Sequence, residues 1–287
     1  MQNSLCRLHI ISDFTNGAYK NRELIDVAKY RIWRVLHMNP ALDYLDKVTE
    51  LIKKIKETQN EKFKQAADIM SDRVAEGHLI YLWGPGGHSS IFSEDAMYRK
   101  GELAAVCPIY DPNISLSHGA AREINGMERV EGFGKVVVDY HRIGKGDVVV
   151  FGSAYGINPV AISAAMECRK RGAYVISITS PTFSDQSSYA GARHSSGKNL
   201  YQASDLYIDS FVPYGDAVLE YDFLEHKISP VATIMQAIVL KALLAETMVA
   251  IKEKGHDPFT WTNSLQAGGI EANSNYMNKI WGQVKSM

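Results

Sequence analysis

The chain has 287 residues, 46% of them apolar, enough to bury the core of one or two domains. Its 31 basic and 32 acidic residues leave a formal net charge of -1, which excludes a global field favouring nucleic acid or an anionic membrane. The three cysteines, Cys6, Cys107 and Cys168, are widely spaced and odd in number; they exclude a disulfide framework and suit a reducing cytoplasm.

Residues 1–40 show no sustained period and are read as an N-terminal extension, with the main domain over 41–287. The start, MQNSLCRLHIISDFTNG, has no basic stretch followed by a sustained apolar one, so no secretory signal is expected. Asn39-Pro40 marks a helix start. Leu42, Leu45, Val48, Ile52, Ile55, Phe63, Ala66, Ile69 and Met70 then follow helical spacing up to Gly77, with a break near Gln59-Asn60. From Leu79 short apolar runs alternate with helical stretches. Strands are predicted at 79–83, 104–109, 147–151, 173–178 and 206–209, and helices at about 89–100, 119–134, 159–171, 187–203 and 231–254. Strands that are apolar throughout belong to parallel sheets covered on both faces, so the rhythm predicts a doubly wound α/β domain. Val231 to Ile251 is long enough to span a membrane. Gln236, Lys241 and Glu246 interrupt every face of it, and a core helix is expected instead. The tail from Gly255 onward gives only weak signals.

In a parallel sheet, ligands bind outside the carboxyl ends of the strands. Three strand ends here are rich in glycine and hydroxyl groups. The first is Gly84-Pro85-Gly86-Gly87-His88-Ser89-Ser90, the second runs from Gly152-Ser153-Ala154-Tyr155 to Asn158-Pro159, and the third is Thr179-Ser180-Pro181-Thr182. Helix N-termini with hydroxyls beside them favour a phosphate dianion. A dinucleotide loop is excluded because Ser89 stands where the third glycine belongs. A P-loop is excluded because Gly197-Lys198 has no glycine at the required offset and Asn199 follows it. His88, Glu94 and His118 lack metal-ligand spacing, so no metal and no cofactor are expected.

These residues resemble the SIS (sugar isomerase) domain. The segments GPGGHSS with Glu94, Met127 to Gly132, Arg193 to Lys198 and Gly215-Asp216-Ala217 resemble a subfamily described as phosphosugar- or phosphoheptose-isomerase-like. The likeness covers about residues 41–275. It implies a three-layer αβα sandwich, flavodoxin-like and doubly wound, around a five-stranded parallel sheet. It also implies a homodimer with the site at the subunit interface, in the cytoplasm that the cysteine usage suits. Gly86 and the matching Ser89, Ser90, Ser153, Thr179 and Ser180 would hold a sugar phosphate, and Thr233 would open the helix that closes over the sugar. Tyr155 stands where the family carries a second serine, next to Asn158 at the following helix start.

Moving a proton between C1 and C2 of a sugar needs a carboxylate or histidine base of near-neutral pKa. Glu94, His88, His118, Glu225 and His226 are the candidates. Arg193, His194, Ser195, Ser196 and Lys198 form the densest polar string, suited to phosphate or carboxylate. The expected function is phosphosugar binding with aldose–ketose isomerisation. The alternatives are a non-catalytic phosphosugar sensor, or a lyase or deaminase on the same scaffold. No nucleic-acid or membrane partner is expected.

Overall fold

The structure, a computed structural model, describes Lys29 and residues 38–188 and 190–285, without the side chains of His118, Glu123, Ile124 and Ala190. The expected extension over 1–40 therefore lies almost wholly outside the described residues. Contacts divide the chain into two units, Met1–Asp43 and Tyr44–Met287, and every strand of the sheet belongs to the second.

Helices α1 (Pro40–Thr58) and α2 (Asn60–Ala75) lead into strand β1 (Ile80–Trp83), short helix α3 (Ser90–Glu94) and β2 (Val106–Pro108). Next come α4 (Ala120–Asn125), α5 (Glu131–His141), β3 (Val148–Gly152), α6 (Pro159–Lys170) and β4 (Tyr174–Thr179). The chain continues through α7 (Pro181–Gln186), α8 (Leu200–Ala203), β5 (Leu206–Asp209) and an antiparallel hairpin, β6 (Ala217–Leu219) with β7 (Ile228–Pro230). It ends in α9 (Ala232–Glu253) and α10 (Gly269–Ile280). The five main strands are all parallel, in the order β2-β1-β3-β4-β5. That is the doubly wound order in which the chain reverses direction beside β1.

Strand periodicity divides the core. Val148, Val150, Ile176 and Ile178 point into one layer with Val48, Met70, Leu240 and Leu244 from α1, α2 and α9. Val149, Phe151 and Val175 point into the other with Val138, Val160 and Ala164 from α5 and α6. Both faces are covered, which is why the strands read as unbroken apolar runs. Of the described helices, α9 alone is long and apolar enough to cross a membrane. Here it packs along α2 and into the first layer, while its Lys241 is ion-paired to Asp95 at 2.9 Å and to the buried Glu102.

Several element boundaries depart from the periodicity. The expected helix 119–134 breaks at Asn125-Gly126, where Gly126 takes φ -127° and ψ -74°, a backbone in which a Cβ would lie 2.7 Å from the Arg122 carbonyl oxygen, and α5 runs on to His141. The expected helix 187–203 is two short helices and a loop. Arg193 donates to the carbonyls of Ser184 (3.1 Å) and Ser187 (2.9 Å), and such bonds compete with helical ones. The helix expected over 89–100 stops at Glu94. In the tail, α10 forms because Ile280 reaches the core and Tyr276 stacks on Phe259 at 4.2 Å.

Two consequences are measurable. Gly134 of α5 sits where α6 crosses, and a Cβ there would meet the Val160 carbonyl oxygen at 2.4 Å. Gly134→Ala should therefore cost about 1–3 kcal/mol in chemical denaturation. Gly132→Ala, with nothing within 4 Å on the same helix, should be neutral or stabilise by up to about 1 kcal/mol.

His141 is buried and its Nδ1 has no hydrogen-bond partner among the described residues, and burial pushes its pKa down from 6.5 to about 4. The unfolded imidazole takes up a proton near pH 6.5 that the folded one refuses until about pH 4. Stability should therefore fall as pH drops through that window. His141→Phe should flatten the slope in urea titrations at pH 7 and pH 5.

Candidate functional site

The loops after β1 and β3 meet at the carboxyl edge of the sheet and, with the start of α9, enclose a cavity of about 390 Å³. Gly86, His88 and Ser89 come from the β1 loop, and Phe92 from α3. Ser153, Tyr155 and Asn158 come from the β3 loop, Asp216 from the turn before β6, and Thr233 and Gln236 from α9. Glu128 enters from a short 3-10 turn, Met127–Arg129. Its carboxylate accepts from the Asn158 amide at 2.6 Å, and a Cβ at Gly86 would approach it to 2.8 Å. A side chain there would push the carboxylate away from the loop, so glycine lets it approach.

Asn158-Pro159 opens α6 with proline in its first turn, where a missing N–H costs nothing. The hydroxyls of Ser89 and Thr233 make no hydrogen bond with the described residues and are open to a ligand. Ser153 Oγ accepts from the Gly156 amide at 3.4 Å. Among the described residues no lysine or arginine lines the cavity, and no group of three His, Cys, Asp or Glu could hold a metal ion.

Asp216 carries the structural weight at the mouth. One carboxylate oxygen accepts from the amides of Val231 (2.9 Å) and Ala232 (2.7 Å), at the N-terminus of α9, whose own N-cap side chain bonds nothing there. The other accepts from the Tyr155 hydroxyl at 3.1 Å. Burial, then Asp216 beside it, pushes the Tyr155 pKa well above that of a free phenol, so it stays a donor.

A family model described as SIS domain matches residues 43–180. The UPF0309 protein of Oceanobacillus iheyensis is 33% identical over 245 residues, 85% of this chain and 98% of its own length. That of Shouchella clausii is 31% identical over 250 residues, covering 87% and 100%. The chain belongs to the UPF0309 family of SIS-domain proteins. Among solved structures it is similar to a phosphoheptose isomerase of Neisseria gonorrhoeae (16% identity, TM-score 0.47, 72% of this chain and 95% of that one). One of Francisella tularensis gives 15% identity and TM-score 0.47, over 75% and 97%.

In this UPF0309 chain seven residues expected at the site line the cavity: Gly86, His88, Ser89, Ser153, Tyr155, Asn158 and Thr233. The others lie elsewhere, for local reasons. Ser90 turns inward to donate to the Gly87 carbonyl at 2.9 Å. Thr179 is buried behind Gly156. Ser180 caps α7 and donates to the Val212 carbonyl at 2.7 Å. Glu94 is exposed in a surface hollow with Asp95 to Lys100, because Phe92 and Ser93 take the inward side of α3. Glu225 and His226 are 89% and 83% exposed, between the hairpin strands. His118 lies outside the described side chains.

The Arg193–Lys198 string docks on the protein instead of the cavity. His194 shares hydrogen bonds with Ser163 (3.1 Å) and Ser196 (2.8 Å), and Ser195 donates from its amide and hydroxyl to Glu131. Those two bonds hold the Glu131 carboxyl below its ordinary pKa. Arg193 reaches Asn199, and Lys198 faces a separate hollow beside Arg169, Lys170 and Asp205.

Sequence reasoning missed Glu128, Asp216, Gln236 and Phe92 as site residues. Glu128 and Asp216 sit in two of the family-like segments, which was their available signal.

Asp216→Ala should cost about 1–2 kcal/mol, a fall of a few degrees in Tm. Tyr155→Phe should cost about 0.5–1.5 kcal/mol. In the double variant the losses should fall short of their sum, since both act through one carboxylate; additive losses in thermal melts would contradict the linkage.

Proposed function

We propose that the cavity binds a phosphorylated sugar and moves a proton between its neighbouring carbons, as an aldose–ketose isomerase without a redox cofactor. The observation that carries the reading is one cavity, at the carboxyl edge of a parallel sheet, faced by a carboxylate, an imidazole and open hydroxyls. In this reading the phosphate rests on Ser89, Ser153 and the first turn of α6, where backbone N–H groups and the helix dipole favour an anion. Glu128 takes the proton from C2, leaving an enediolate, and the proton returns to C1. His88, exposed on the β1 loop, exchanges protons with the sugar oxygens. A homodimer belongs to the same reading, supported by the exposed apolar side chains of Leu45 and Ile52 on α1 and of Ile91 and Ile234 beside cavity residues; a cytoplasmic setting is proposed with it.

Solvent deuterium incorporation at C2 across a panel of sugar phosphates tests this. The wild type and the surface control Glu94→Gln should both exchange. Glu128→Gln should be slower by about 10²–10⁴-fold. Exchange that survives Glu128→Gln removes Glu128 as the base, and binding without exchange across the whole panel favours a phosphosugar sensor.

A further inference from the structure

We infer that Tyr155 is an aromatic platform that selects the closed-ring form of a sugar phosphate; this rests on the phosphosugar reading above. Phe183 covers one face of the Tyr155 ring, stacked at 4.2 Å between centroids and 10° between planes. Tyr155 remains 38% exposed and lines the cavity. Its position is fixed at three points. The hydroxyl is tied to Asp216 at 3.1 Å, the backbone carbonyl accepts from Ser184 Oγ at 2.8 Å, and Phe183 is itself backed by Tyr214 at 5.4 Å.

A ring held this way loses little freedom when a ligand arrives, so its contact energy is kept for the ligand. An aromatic face carries negative potential and attracts polarised C–H groups. A closed sugar ring presents such groups on one flat face, whereas an open chain spreads them over many rotamers. The polar rim of a ring then meets hydrogen-bonding side chains, here Glu128, Asn158 and Gln236. Inorganic phosphate or a short open-chain ligand would gain nothing from this wall. A cavity of about 390 Å³ is within the usual range for a small-molecule site.

Two non-isomerisable probes separate the forms. 1,5-Anhydroglucitol 6-phosphate cannot open, and glucitol 6-phosphate cannot close. By calorimetric titration of the full chain, the closed probe should bind about tenfold more tightly. Tyr155→Phe, which keeps the stack, should retain the preference, and Tyr155→Ser should bring the two affinities together. Equal binding of the probes by the wild type, or a preference that survives Tyr155→Ser, overturns the platform and leaves the phosphosugar reading standing. Binding of neither probe overturns both. The wild-type ratio decides the matter even if Tyr155→Ser does not fold.

Discussion

Because β1, β3, β4 and their neighbours run parallel with helices on both faces, their polar ends can meet water only at the edges of the sheet. Every crossover returns the chain to the same starting edge, so every strand delivers its following loop to the same finishing edge. The Gly86–Ser89 and Ser153–Asn158 loops therefore converge without any long-range attraction between them. The site is a by-product of burying two apolar faces at once.

Convergence alone would leave a groove. What turns it into a cavity is α9, which lies against α2 in the first core layer and presents Thr233 and Gln236 from its first turns. The start of this helix is half-buried, from Val231 inside to Ile234 outside, and its first backbone amides need acceptors. Asp216 meets two of them from another part of the chain and holds Tyr155 with its second oxygen. One carboxylate thus joins the β3 loop, the hairpin and α9, and the geometry of the cavity wall depends on its staying in place.

The Arg193–Lys198 segment uses the same chemistry for a different purpose. Its Arg193 guanidinium, imidazole and Ser195 hydroxyl are spent on Asn199, Ser163 and Glu131. Two residues after it, the Leu200 amide donates to the Gly156 carbonyl at 2.8 Å. The segment steadies the β3 loop from behind. Groups that suit phosphate also suit backbone carbonyls and carboxylates, and here the nearer partners took them.

The sequence by itself determined the parallel α/β class, the five parallel strands, the break at Gln59 and the polar loops after β1 and β3, but not the β6–β7 hairpin. These follow from apolar period and from glycine, proline and hydroxyl placement, which act over a few residues. It also carried enough likeness to indicate the SIS domain. Tertiary structure alone decided which polar groups share a cavity. Glu94 is five residues from Ser89 yet faces solvent, while Glu128 and Asp216, far along the chain, line the wall. Local patterns fix an element and its apolar face, but the meeting of two side chains depends on how whole elements cross. Tyr155 shows the limit best: as a residue it reads as a missing hydroxyl, and only its stacking on Phe183 and its bond to Asp216 make it a wall.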